Sequence, residues 1–308
     1  MIGGARSALQ AEPNRERLRH QLRGCEHFTR RGRHHNLTLR CYIAHALGEW
    51  LMAYESLRYV DHVGNNYLFR GGSPVTTDPN TGQPVFDYDG LMAAIASKPE
   101  LPPTPLPSSY YLVDINLEHA NESTNLTTEI DYFANNPNGQ LVLWDTNGTP
   151  QCYWQTDPPK RGPLVATLGE WLPDPLIWRV ATIRSWLENP LLLPLQPLPD
   201  PKPPIIIYVH CDGGCDRTSE MIGAYRLRYM PSGWTMENAW MNMYEEHPCT
   251  DPMGCNNYMA VQWYAFWLNK TQGFSLGGIG VDGGCNNAGK VEKLCSPDID
   301  ATTTGTQF

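Results

Sequence analysis

Residues 205–218 read I-I-I-Y-V-H-C-D-G-G-C-D-R-T. The apolar, mostly β-branched run Ile205–Val209 has the composition of a buried strand, and a helical pattern begins beyond Arg217. Between them lies a tight loop whose backbone N–H groups can point inward and meet the positive end of the following helix, making a cradle for an anion. Gly213 and Gly214 permit close approach and unusual φ angles. Asp212, Cys215 and Asp216 complete the substrate-facing loop, and Arg217 offers a planar fork for two phosphate oxygens. Cys211, on the cradle floor, feels amides, helix dipole and guanidinium together, and all three favour a thiolate. A thiolate beneath a bound phosphate is set for in-line attack and a cysteinyl-phosphate intermediate. Thr218 can hydrogen-bond the sulfur or cap the helix. His210 is expected to order the loop by hydrogen bonding and not to act as a base.

His210-Cys211-x5-Arg217-Thr218 resembles the H-C-x5-R-[ST] signature of the cysteine-dependent tyrosine and dual-specificity phosphatases. "YLFRGGSPV" (67–75) and "YLVDINLEHANESTNLTTEIDYFA" (111–134) are similar to the first strand and the next strand and loop of the atypical dual-specificity branch. The likeness spans about residues 65–250. It implies hydrolysis of a phosphomonoester without cofactor or metal, and a mobile acid-bearing loop ahead of the cysteine. A leaving alkoxide or phenoxide needs a proton, and water must later be activated. In "EWLPDPLIW" (170–178), Asp174 stands on a proline-flanked loop 37 residues before Cys211, about where the family carries its acid. Leu172 interrupts the family's W-P-D string; Asp157 and Asp200 are the alternatives. Gln262, in "VQWYAF" (261–266), faintly resembles a water-positioning glutamine of some tyrosine phosphatases, though an apolar helix explains it as well. The loop holds two aspartates and no lysine, so a singly phosphorylated tyrosine or other aryl-type monoester suits it better than a polyphosphate.

The elements that must position these groups follow from periodicity. Helical spacing is found at 47–59, 86–97, 126–136, 178–189, 219–229, 236–246 and 261–268; strands are expected around 65–69, 109–117, 139–145 and 205–210. Seven prolines between residues 190 and 204 enforce an extended connection. Strands alternating with helices predict an α/β domain with a central mixed, mostly parallel sheet flanked by helices and with irregular extensions at both ends. The expected organisation is a basic, poorly ordered arm over 1–45, the α/β domain over 46–250, and a helix with a Gly/Cys-containing tail over 251–308.

The net charge of −9 argues against non-specific binding to nucleic acid, and no apolar run reaches the length of a membrane span. The expected partners are a phosphorylated protein or a small phosphomonoester; oligomeric state cannot be read. Nine cysteines and five N-x-[ST] sequons, at Asn36, Asn121, Asn125, Asn147 and Asn269, tilt the compartment toward secreted or lumenal, against the absence of an apolar signal segment. That leaves a rival expectation: a catalytically silent phosphatase-fold binding or structural glycoprotein, in which a Cys211–Cys215 disulfide would disable the nucleophile.

Overall fold

The computed structural model describes residues 54–98, 109–119, 124–149, 151, 156–194, 198, 202–230, 235–236 and 254–276, with the side chain of Cys255 excepted. The basic arm, Asn36, Asn121, Asp200, most of the 236–246 helix and Cys249, Cys285 and Cys295 lie outside them. Contacts divide the chain at Glu55/Ser56, and the unit from Ser56 onward carries the fold.

Five strands, β1 (Arg58–Val63), β2 (Asn66–Gly71), β5 (Tyr111–Asn116), β6 (Gly139–Leu143) and β7 (Ile205–His210), form one sheet in the order β1-β2-β7-β5-β6. Only the β1/β2 pair is antiparallel; β2/β7, β7/β5 and β5/β6 run parallel. The architecture is therefore the mixed, mostly parallel α/β sheet expected from the alternating pattern. A separate hairpin pairs β3 (Val75–Thr77) with β4 (Pro84–Phe86). Helices α1 (Tyr88–Ala96), α2 (Thr124–Asn135), α3 (Pro158–Ala166), α4 (Leu168–Trp171), α5 (Leu176–Glu188), α6 (Asp216–Tyr229) and α7 (Cys255–Gln272) complete the described elements.

β1 departs from the expected helix over 47–59. Arg58 and Tyr59 pair with Arg70 and Phe69, and the connection Gly64-Asn65 turns at a φ of 59° on Gly64. A two-residue loop with positive φ closes a hairpin tightly, and pairing with a buried neighbour overrides local helical spacing.

β7 is the middle strand, and Ile205 through His210 are all fully buried. Because successive side chains alternate, the strand serves two different layers. Ile205, Ile207 and Val209 join Val113, Ile115 and Leu68 in an apolar cluster with Val180 and Ile183 of α5, Met221 and Tyr225 of α6, and Trp263 and Tyr264 of α7. α7 is thus part of the same core as the sheet. The opposite face carries Tyr208 and His210, in register with Asp114 and Asn116 of β5.

The register aligns the strand ends. Gly71 pairs with His210, His210 with Asn116, and Asn116 with Leu143. Four parallel strands therefore stop in one row, and the segments leaving them (Gly72, Cys211, Leu117 and Trp144) emerge side by side. Open α/β sheets bind ligands outside the carboxyl ends of their strands.

Candidate active site

Cys211 follows the last residue of β7 and is a free thiol, 6% exposed. The chain turns through residues 212–215, with Gly214 at a φ of 72°, and enters α6 at Asp216. Only glycine takes that angle without cost, and a Cβ there would strike the carbonyl of Gly71 and the nitrogen of Gly72. The end of β2 and its exit, Arg70-Gly71-Gly72-Ser73, are packed directly under the loop: the Ser73 N–H donates to Asp212 O at 2.8 Å, and a Cβ on Gly72 would sit 2.8 Å from the same oxygen. Arg70, fully buried, donates through Nη2 to Gly214 O at 2.6 Å and to Ser219 Oγ at 3.0 Å. A guanidinium is well suited to bracing a carbonyl and a hydroxyl at once, so β2 holds the loop from below. Nothing in a strand-internal arginine announces that role; the adjoining glycine pair was the available signal.

Thr218 stands in the first turn of α6, which begins after Cys215 and not at Thr218. Its hydroxyl donates to the Cys211 sulfur at 3.2 Å. A cleft of about 520 Å³ opens over Cys211 and is walled by Asp212, Gly213, Cys215, Asp216 and Arg217 from the loop. His119 from the end of β5, Thr146 and Asn147 from the segment after β6, and Gly254, Asn256 and Asn257 from the start of α7 complete it. Asp216 accepts the Gly254 N–H at 2.6 Å, fastening α7 to the loop. Cys215 Sγ lies 3.6 Å from Gly213 O. It is not bonded to Cys211, so the disulfide that the silent reading invoked is not formed.

Behind the cysteine, His210 is held by carboxylates and not by the loop. Its Nε2 is 3.1 Å from Asp114 Oδ1 and 3.7 Å from Glu129 Oε2, all three side chains being fully buried. Burial pulls the imidazole down, but Asp114 and Glu129 outweigh it and push the pKa up to about 10, so the ring is a cation at neutral pH. Glu129 is driven the other way by burial, up to about 7 against the pull of His210. Asn116 donates to Glu129 at 2.6 Å, and Tyr208 stacks on His210 at 5.4 Å while donating to Gly72 O at 2.6 Å. Asp114, Glu129 and His210 are also close enough together to hold a metal ion, their ligand atoms lying within 4.8 Å of one another. With His210 protonated, the imidazolium supplies the positive charge the two carboxylates require.

The acid expected at Asp174 is not brought into the cleft. Its side chain is fully buried and accepts the N–H of Asn147 (3.0 and 3.1 Å) and of Gly148 (2.5 Å), with Arg179 Nη1 at 3.6 Å. Burial raises its pKa against those donors, and the neighbouring Glu220, also buried, is raised well above the usual carboxylate range. Arg179 donates further to Asp145 O at 2.7 Å and Thr146 Oγ1 at 3.0 Å. The proline-flanked segment therefore anchors the loop after β6. Asp157, the first alternative, is exposed at the N-terminus of α3 and faces Lys160 at 4.0 Å. Gln262 is buried within α7 and is not among the residues that line the cleft.

The described sequons give the glycoprotein expectation no support. Asn269 Oδ1 accepts the Leu276 N–H at 3.1 Å, and Asn147 is itself part of the cleft wall. Asn125 is half-buried on α2. Among the described residues, no helix is long and apolar enough to cross a membrane.

No protein-family model matches this chain, and no curated protein does. Among solved structures, it is similar to the core catalytic domain of the PP-IP phosphatase SIW14 from S. cerevisiae in complex with citrate. Identity is 13%, with 72% of this chain and 96% of that one covered and a TM-score of 0.34. It is also similar to the Yvh1 phosphatase domain from Chaetomium thermophilum, at 13% identity, 69% and 95% coverage and a TM-score of 0.33. Likeness at this depth does not carry chemistry, which rests on the chain's own residues.

Proposed function

We propose that the chain hydrolyses phosphomonoesters through a cysteinyl-phosphate intermediate. The observation that carries this is the nucleophile's setting. Cys211 is a free thiol on the floor of a cleft, at the joint of a central strand and a helix N-terminus, with a hydroxyl donor 3.2 Å from its sulfur. Amides of residues 212–217 and the fork of Arg217 would hold the phosphoryl oxygens. Sγ attacks phosphorus in line and the ester oxygen leaves; water then displaces the sulfur, and the Thr218 hydroxyl stabilises the departing thiolate.

The substrate class follows from charge. Among the described residues lining the cleft, Arg217 is the only arginine or lysine, and Asp212 and Asp216 of the same loop line the cleft with it. That balance suits one phosphoryl group on an apolar or aryl carrier, phosphotyrosine above all, and disfavours a polyphosphate. The test is hydrolysis of 4-nitrophenyl phosphate and a phosphotyrosine peptide by reduced protein, with Cys211→Ser alongside, and acid quenching to trap phosphate on sulfur. The expected result is turnover with trapped phosphocysteine in the wild type and neither in the variant. Folded, reduced wild type that leaves both substrates intact would overturn the proposal.

A further inference from the structure

Resting on that reading, we propose that His119, oriented by Asp145, is the proton donor and acceptor of the reaction. The first argument is placement. The Leu117 N–H donates to His210 O at 3.0 Å and the Trp144 N–H to Asn116 O at 2.9 Å, so the segment carrying His119 leaves the strand beside β7, and the segment carrying Asp145 leaves the next strand out. His119 lines the same cleft as Cys211 and Arg217. The second is pairing. His119 Nδ1 is paired with the Asp145 carboxylate, and the proton exchanged with a ligand is the one on Nε2. Both side chains reach solvent, at 25% and 58% exposure, as a group that must exchange protons with water requires. The third is rigidity: Asp145 is fixed through its own carbonyl by Arg179, which Asp174 faces. Asp174 is thus a positioning residue two steps removed, and an acid is supplied from elsewhere on the cleft wall.

The step balances with these groups alone. As the Cys211 sulfur bonds to phosphorus and the P–O ester bond breaks, the imidazolium of His119 gives its Nε2 proton to the departing oxygen. The neutral ring then takes a proton from the attacking water as the O–P bond forms and the S–P bond breaks. Thiolate and imidazolium are restored, with inorganic phosphate released.

A proton donor matters in proportion to the basicity of the leaving group, which separates this role from a structural one. His119→Ala is expected to lower kcat on phenyl phosphate by about 100-fold or more, within the range for general acid catalysis. On 2,4-dinitrophenyl phosphate, whose leaving group needs no proton, the loss should shrink to less than about threefold. Asp145→Asn should show the same selectivity at smaller amplitude, and His119→Gln, which keeps a polar side chain, guards against a folding defect in the alanine variant. Equal losses on both esters, or none on phenyl phosphate, would overturn the assignment. Hydrolysis of neither ester by the wild type, or hydrolysis indifferent to Cys211→Ser, would instead overturn the phosphatase reading on which it rests.

Discussion

Replacing Asp174 by alanine would orphan two backbone donors, the N–H groups of Asn147 and Gly148, and strip Arg179 of the carboxylate 3.6 Å from it. A buried donor left without an acceptor costs about 1–3 kcal/mol. Against this, burial already raises the Asp174 pKa, so part of the wild-type contribution is spent on desolvating the charge. The sum is in the range for breaking a buried pair, about 3–5 kcal/mol. For a domain of this size that corresponds to a fall in Tm of roughly 6–20 °C. Asp174→Asn keeps one acceptor oxygen and should recover about half the loss. Urea denaturation of the three proteins, monitored by tryptophan fluorescence, measures this directly. A carboxylate kept for proton transfer behaves differently: its removal leaves stability unchanged or raised, and asparagine is as inactive as alanine. Asp174→Ala within about 1 kcal/mol of wild type, with activity abolished in both variants, would refute the anchoring role and restore Asp174 as the acid.

Two further perturbations test the frame around Cys211. Gly214→Ala imposes a left-handed conformation worth about 1–2 kcal/mol on a residue with a side chain and drives its Cβ into Gly71 and Gly72; kcat/KM for an aryl phosphate should fall at least about 100-fold, and near-normal turnover would refute the packing argument. His210, raised from 6.5 to about 10, contributes stability that is complete below its unfolded pKa and lost as pH rises through 10. Unfolding free energy should therefore decline between pH 6.5 and 10, and the decline should flatten in Asp114→Asn, where the nearest charge facing the ring is gone while Glu129 remains. An identical slope in the variant would remove Asp114 from the account.

The strand, loop and helix around Cys211 were legible because each has a local signature: a β-branched run, paired glycines and helical spacing. The mostly parallel sheet followed from alternation of such units. What escaped was set by long-range partners. Arg70 resembles any strand arginine until Gly214 is placed above it, and Glu129 any surface helix carboxylate until α2 lays it beside His210. Asp174 has the spacing and prolines of a mobile acid loop, but its burial comes from Asn147, Gly148 and Arg179, which no local pattern reports. His119 and Asp145 sat within segments already recognised as strand ends; the signal for them was position just past β5 and β6, which required the register of the sheet to interpret.

The fastening of Asp216 to Gly254 bears on how the protein is made. The cleft draws on the loop after β7, on the segments after β5 and β6, and on the start of α7, so its last wall is also nearly the last described segment to leave the ribosome. During synthesis Cys211 emerges with its strand and loop well before α7 can cover the core beside it. Domains fold as their chains are released, and contacts distant in sequence form last. Until α7 emerges the thiol lacks one wall of its cleft, and an oxidant or electrophile would find the nascent chain a more open target than the finished protein.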